Sequence, residues 1–394
     1  MKLVISSSSI GSHKHLQFDG EMWEWVSEPD GESLLFGFDS PRDIGGVFKA
    51  LNISLPTIET TPWWSAQSVV QSNLSCVPWM RCMPHSAWKT FVLNLVDRIW
   101  LSLTSESNSY YCETFIRNRE VIWSLQRPRI DTAMVKNIIS VSDNGVAQNL
   151  MRFLPKSGDV APHSQYSLVS SVTGRMTVSS GPNILTLKRD HRKILRSRYK
   201  GGKIIEIDIQ SAEPRLALAL FGRSIEGDVY KDVMRCIDLD ITRDVAKVAT
   251  LSAIYGASHH SIQAMLPENV GASRVLDLVK DYFSVDIIEK MLKEQHDELG
   301  YIVNTHGRKI LSQEASVNHL IQSSSVDVAF DIFESILAKL RESDIVFSPI
   351  YLIHDAIILD ICGEHVDKLK EACKGGFVPG KIKIRFPVRI KEIN

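Results

Sequence analysis

The segment Lys203-Ile-Ile-Glu-Ile-Asp-Ile209 constrains the fold of this chain more than any other. Four isoleucines in seven residues favour a buried strand. A strand that stays apolar up to a carboxylate is costly to bury unless a metal or a partner answers the charge. Five residues after Asp208, Glu213-Pro-Arg215 opens an apolar run, Leu216-Ala-Leu-Ala-Leu, and Pro214 suits the first turn of a helix. The expected unit is a buried strand that delivers an acid to the head of a helix.

Two further islands follow in order. Arg243, Lys247, Leu251 and Tyr255 recur every four residues, which keeps them near one face of a helix with a slow drift around it. The first two are cations one turn apart and suit a polyanion; the last two offer a packing surface. Gly256 then ends the helix as a left-handed cap. The third island, Ile353-His354-Asp355-Ala356-Ile357, is an acid in a turn between apolar stretches. Two carboxylates converging from separate elements meet the preference of magnesium for hard oxygen ligands. Two such ions, about 4 Å apart, are the apparatus of phosphoryl transfer. Asp208 and Asp355 can converge if their strands are neighbours in one sheet.

The remaining pattern gives strands and loops over residues 1–60, with turn signals Pro29-Asp-Gly31 and Asp39-Ser-Pro41. Helical periodicity covers 86–103, 130–155, 242–255, 273–299 and about 317–341. A turn-bearing ribbon is expected over Gly300–Ile310, a hairpin over Pro349–Ile361 and a strand over Lys381–Ile390. All eight tryptophans fall between Trp23 and Trp123, which separates an N-terminal part from a C-terminal part carrying all three islands.

A length of 394 residues allows two or three cores. Composition, at 44% hydrophobic and 23% charged, is that of an ordinary globular chain, and no apolar run approaches the roughly 20 residues of a membrane span. The N-terminal apolar stretch is too short for a signal peptide, so a cytoplasmic protein is expected. Six cysteines (76, 82, 112, 236, 362, 373) form no CxxC pair, which argues for reduced thiols and against structural zinc. Net charge is −1, yet eight Lys or Arg residues stand against one acid, Asp190, between Lys188 and Lys203. In that run Lys188, Arg189, Arg192 and Lys193 are candidate contacts to nucleic-acid phosphates; the alternative is a solvated charged face.

The three islands resemble motifs A, B and C of the family A DNA polymerases, the group of bacterial DNA polymerase I and its phage relatives. Thr173-Gly174-Arg175 followed by Gly181-Pro182-Asn183 resembles the TGR…PN segment of that family, with one extra residue between Arg and Asn. Asn318-x3-Gln322, with Asp327 beyond it, resembles a pair that contacts nascent duplex, and Tyr282-Phe283 and Gly307-Arg308 match as well. The resemblance covers about residues 165–394. It implies an α+β right-hand fold with an antiparallel palm sheet, helical fingers and a helical thumb. The parts would be 1–85 (unassigned), 86–165 (thumb-like), 166–215 (palm), 216–316 (fingers) and 317–394 (palm).

The resemblance implies that Asp208 and Asp355 bind two magnesium ions, for which manganese can substitute. Arg243 and Lys247 would hold the incoming triphosphate, Lys247 also donating a proton to the leaving group. Leu251 would pack on the nucleotide, and Tyr230 would stand where the family has a phosphate-contacting His. Glu213, hydrogen-bonded to Tyr255, would exclude ribonucleotides. Arg175, Asn183, Asn318, Gln322 and His354 would contact primer-template DNA. The implied partners are primer-template DNA and dNTPs, with room for a processivity factor or replisome protein that no insertion identifies, and no membrane.

The sequence departs from the family at Leu251, where Phe or Tyr is usual, and at Ala356, where an acid commonly follows the HD pair. The fingers are short, as in compact phage enzymes. Asp19-Gly-Glu21 fits the first acidic motif of a proofreading exonuclease, but no second or third motif precedes residue 150, so no 3′–5′ exonuclease is expected. A single-subunit RNA polymerase and a catalytically weak primer-template-binding replication protein are the rival readings. Glu213 argues against the first, and the intact Asp208, Asp355, Arg243 and Lys247 against the second.

Overall fold

The computed structural model of the chain describes residues 1–37, 44–54, 84–237, 240–257, 260–266, 270–312 and 316–394. The turn signal Asp39-Ser-Pro41 and Cys76 and Cys82 lie outside them. The four described cysteines, at 112, 236, 362 and 373, are free thiols. The chain divides into one unit of Met1–Glu120 with His306–Lys309, and a second of Val121–Thr305 with Ile310–Asn394. The first break between the units falls inside the helix Glu106–Ser124.

The first unit holds a four-stranded sheet in the order β3-β2-β1-β4, from β1 (Lys2–Ile5), β2 (His15–Phe18), β3 (Trp23–Val26) and β4 (Ser33–Phe36). β1 is antiparallel to β2 and parallel to β4. The β2–β3 turn lies against the helix His85–Thr104: Phe18 meets Trp100 edge-on at 5.3 Å. Gly20 there has φ +110°, and a Cβ on it would come within 2.6 Å of the Trp100 ring. Trp88 is buried, Trp100 is partly buried and Trp25 is exposed. Asp19 accepts hydrogen bonds at Oδ1 from the backbone N–H groups of Glu21 (2.9 Å) and Met22 (2.8 Å). That is the capping role of an Asp in a tight turn.

The second unit is built on an antiparallel sheet in the order β12-β13-β9-β14. Its strands are β9 (Lys203–Ile209), β12 (Phe347–Ile353), β13 (Ala356–Ile361) and β14 (Val388–Glu392). The described residues also form two-stranded pairs: β5 (Arg129–Ile130) with β8 (Leu195–Arg196), β6 (Gln165–Ser167) with β7 (Thr177–Ser180), and β10 (Ile302–Val303) with β11 (Lys309–Ile310). Alternate residues of β9 enter different cores. Ile205, Ile207 and Ile209 join the larger one, with Phe330, Phe333 and Ile336 of the long helix Val317–Glu342. Ile204 joins a smaller one with Ile350, Ile358 and Phe153. Burial on both faces explains why β9 reads as a nearly unbroken apolar run. Each isoleucine removed from water stabilises the sheet by about 1.5–3 kcal/mol.

Glu206 and Asp360 interrupt that run, and the basic segment answers them. Arg189 and Arg192 donate to Glu206, at 3.0 and 2.5 Å, and Arg198 donates to Asp360 at 3.1 Å. Arg196 pairs with Asp131 and Lys203 with Glu392. Arg189 and Arg192, named above as candidate DNA contacts, both hold a buried carboxylate to the sheet, as its desolvation demands. Lys188 and Lys193 remain exposed, and among the described residues neither has an ion-pair partner.

Two helices differ from the periodicity. The 130–155 stretch is two helices, Thr132–Ser140 and Asn144–Met151, the second capped by Asp143, which accepts from Val146 N–H at 2.8 Å. The 273–299 stretch breaks at Ser284, which has φ +54°, into Ala272–Phe283 and Val285–Leu299. The Arg223 guanidinium donates to the Tyr282 carbonyl, the acceptor that a continuing helix would need.

Candidate active site

One cavity of about 510 Å³ in the second unit gathers side chains from all three islands. Its floor is the end of the sheet. Asp208 on β9 pairs in register with Ala356 on β13, and Ile209 N–H donates to the Asp355 carbonyl at 3.0 Å. Ile353 pairs with Ala356, so His354 and Asp355 form a two-residue turn, with His354 at φ +52°. A non-glycine residue in the left-handed region costs energy that the two flanking strands must offset, and such positions cluster at functional sites. Ser211, at φ +53°, is a second one, at the junction where β9 turns into the helix Ala212–Ala219.

The two carboxylates act on each other electrostatically. Burial, and then the charges of Asp208 and Glu213, push the Asp355 carboxyl up to about 6. Arg389, on β14 and unmarked by any local signal in the sequence, donates from Nη2 to Asp208 Oδ2 at 2.9 Å. Among the described residues no group of three or more His, Cys, Asp or Glu side chains converges as a metal site. A pair of carboxylates nonetheless fits magnesium, which takes one or two of them and fills its remaining positions with phosphate oxygens and water.

The helix Arg243–Tyr255 forms one wall. Thr242 caps it by accepting from Val245 N–H at 3.3 Å, and Gly256 ends it at φ +69°, as its sequence implied. Ala246, Ala249 and Ala253 bury the opposite face, and all four residues of the four-step series line the cavity. Among the described residues Lys247 has no ion-pair partner. Arg243 is engaged: its Nε donates to Asp228 Oδ2 at 2.6 Å, and its guanidinium lies 5.1 Å from the centre of the Tyr230 ring. Tyr230 lines the cavity beneath it, and burial raises its phenol above the ordinary range.

Glu213 and Tyr255 meet as the sequence implied, the tyrosine hydroxyl donating to Glu213 Oε2. Burial first, and then that carboxylate, raise the Tyr255 phenol far above its usual range, so it is a donor throughout the physiological range. Arg175 and Gln322 complete this side. Burial, with Arg175 and Arg192 nearby, lowers the His354 imidazole, which leaves it neutral at pH 7. Asn318 and Asn183 are not in the cavity lining. Asn318 lies one turn before Gln322 on the same helix, and Asn183 caps a short 3₁₀ turn by accepting from Leu185 N–H at 3.1 Å.

The sequence reading missed three lining residues with clear roles. Asp228 neutralises Arg243, and Arg389 neutralises Asp208. Arg215, almost fully buried, donates to the carbonyls of Gln210 (3.0 Å), Ile225 (2.7 Å) and Gly227, tying the 225–227 turn to the Asp208 strand end. Arg215 lay within the quoted motif; the partners of all three are set by tertiary contacts that no spacing encodes.

The chain is similar to the POL domain of Pol1 from M. smegmatis, a structure determined in complex with DNA primer-template and dNTP. The TM-score is 0.63, with 13% identity over 94% of this chain and 82% of that one. The fold is that of a DNA polymerase I polymerase domain. The chain is also 21% identical, over 302 residues, to DNA polymerase I of Caldicellulosiruptor bescii, a match covering 67% of this chain. It spans 34% of the length of that curated relative. No family model matches the chain. Both comparisons name DNA polymerase I, the group that the motifs resemble, and the fold likeness agrees with the α+β right-hand architecture, with β9, β12, β13 and β14 as its antiparallel sheet.

Proposed function

We propose that the chain is a template-directed DNA polymerase that extends a primer 3′ end with dNTPs. The observation that carries this reading is the convergence of Asp208, Asp355, Lys247, Arg243 and the Glu213–Tyr255 pair, from three separate stretches of sequence, on one cavity. Asp208 and Asp355 would hold two magnesium ions, which activate the attacking hydroxyl and neutralise the leaving diphosphate. Lys247 and Arg243 bind the triphosphate, Arg243 after exchanging Asp228 for phosphate oxygens. Lys247 would also donate a proton to the departing diphosphate. The Glu213–Tyr255 pair occupies the space beside the sugar and excludes a 2′-hydroxyl. Arg175, Gln322 and the neutral His354 face the primer end as hydrogen-bonding groups, and Leu251 packs against the nucleotide. Residues 86–165 would serve as the thumb.

The short fingers favour a compact enzyme of phage type, acting in replication or repair in the cytoplasm of a bacterial host. No 3′–5′ exonuclease is proposed for it, because Asp19-Gly-Glu21 is followed by no second or third acidic motif before residue 150.

The test is extension of a primed DNA template with magnesium, supplied with dNTPs or NTPs. Extension with dNTPs that is abolished in Asp208→Ala and Asp355→Ala, with primer-template binding retained, supports the reading. Extension with NTPs alone would transfer it to an RNA polymerase. Activity within tenfold of wild type in either variant would end the two-metal assignment.

A further inference from the structure

Asp208 is the central member of a row of three residues across the palm sheet. Ala356 on β13 lies opposite it on one side and Arg389 on β14 on the other, so the three share one face. Ala356 offers a methyl group. Arg389 offers a guanidinium, and its Nη2 lies 2.9 Å from Asp208 Oδ2. Among the described residues this is Arg389's one ion-pair partner. β14 is an edge strand, and the Arg389 side chain is 59% exposed, so little packing holds it in place.

We infer that Arg389 is a positioning residue and displaceable counter-ion of Asp208, which holds that carboxylate when no divalent cation is bound and is exchanged for the cation when one arrives. The inference rests on the metal-binding role proposed above for Asp208. A guanidinium and a divalent cation on one carboxylate oxygen repel each other, so a cation that binds Oδ2 competes with Arg389 for it. Its exposure makes the exchange easy, because an ion pair in such surroundings contributes little. Held by Arg389, Asp208 stays oriented toward the cavity. Once released, the guanidinium remains at the rim of the same cavity, which it lines.

The experiment measures binding of Mn²⁺ alone to the full chain by electron paramagnetic resonance of the free ion, without DNA or nucleotide, at pH 7.5 and low ionic strength. Arg389→Met should bind Mn²⁺ about two- to fivefold more tightly than wild type, the range a largely exposed ion pair permits. Arg389→Lys should stay near wild type. Lys391→Met removes one charge from the same strand without touching Asp208 and should change affinity less. Salt should narrow the gap between wild type and Arg389→Met, since it screens exposed pairs. Unchanged or weaker binding in Arg389→Met overturns the inference, as does an equal gain in Lys391→Met, which would reduce the effect to net charge. Thermal melts in EDTA establish that each variant folds, and Arg389→Gln serves as a second uncharged variant. Wild-type binding that persists unchanged in Asp208→Ala would instead remove the metal-ligand role itself, a result separable from failure at Arg389 alone.

Discussion

Asp355→Asn should stabilise the metal-free protein at neutral pH, although it destroys a residue assigned to catalysis. Burial, and the neighbouring Asp208 and Glu213, push the Asp355 carboxyl from an ordinary 3.8 up to about 6. Between about pH 4 and pH 6 the folded chain therefore retains a proton that the unfolded chain has released. The contribution of this group is fully present below pH 4 and is lost as pH rises through 6. The full difference corresponds to about 3 kcal/mol at 1.36 kcal/mol per decade. Water at the cavity mouth screens part of it, which leaves about 1–3 kcal/mol. For a unit of this size that is roughly 3–10 °C in melting temperature. The assay is thermal unfolding of both proteins in EDTA at pH 4 and pH 7.5. The Asn variant should gain several degrees over wild type between the two conditions. Millimolar magnesium should then shrink or reverse its advantage at pH 7.5, because a cation that binds the folded wild type stabilises it. A difference independent of pH, or a variant less stable at pH 7.5 than at pH 4 relative to wild type, would refute the reasoning.

Glu213→Ala should lower the ratio of kcat/KM for dNTP over NTP by about ten- to hundredfold, since the buried 2′-hydroxyl would no longer be excluded or left unpaired; an unchanged ratio removes Glu213 as the gate. Arg192→Ala should cost about 3 kcal/mol in chemical unfolding, because Glu206 is buried and loses its closest cation, whereas Arg189→Ala, at a far more exposed position, should cost under about 1 kcal/mol. Equal costs would mean that Glu206 does not depend on Arg192. Lys247→Ala should reduce turnover by about 10²-fold or more while Lys193→Ala leaves turnover intact and lowers the salt dependence of DNA binding; single-turnover extension and binding titrations separate the two.

The local elements of the site were legible because their information is local. The strand Lys203–Ile209, the helix Arg243–Tyr255 and the turn at His354-Asp355 each follow from a period or a junction within a few residues. The cap at Gly256 and the contact of Tyr255 with Glu213 belong with them, the second through a family resemblance rather than through spacing. The break at Ser284 was not legible, because a distant guanidinium takes the Tyr282 carbonyl. Nor was the fate of the basic run. Lys188 to Lys203 looks alike along its length, but register places Glu206 and Asp360 on one face of the palm sheet, and desolvation of those acids selects Arg189, Arg192 and Arg198. Arg389 shows the same division most plainly. Sequence marks it as one more cation in an alternating strand, while the pairing of β14 with β9 sets it opposite Asp208. Periodicity fixes which residues share a face of one element. Which charges meet across elements depends on strand register and burial, and these exist only in the folded chain.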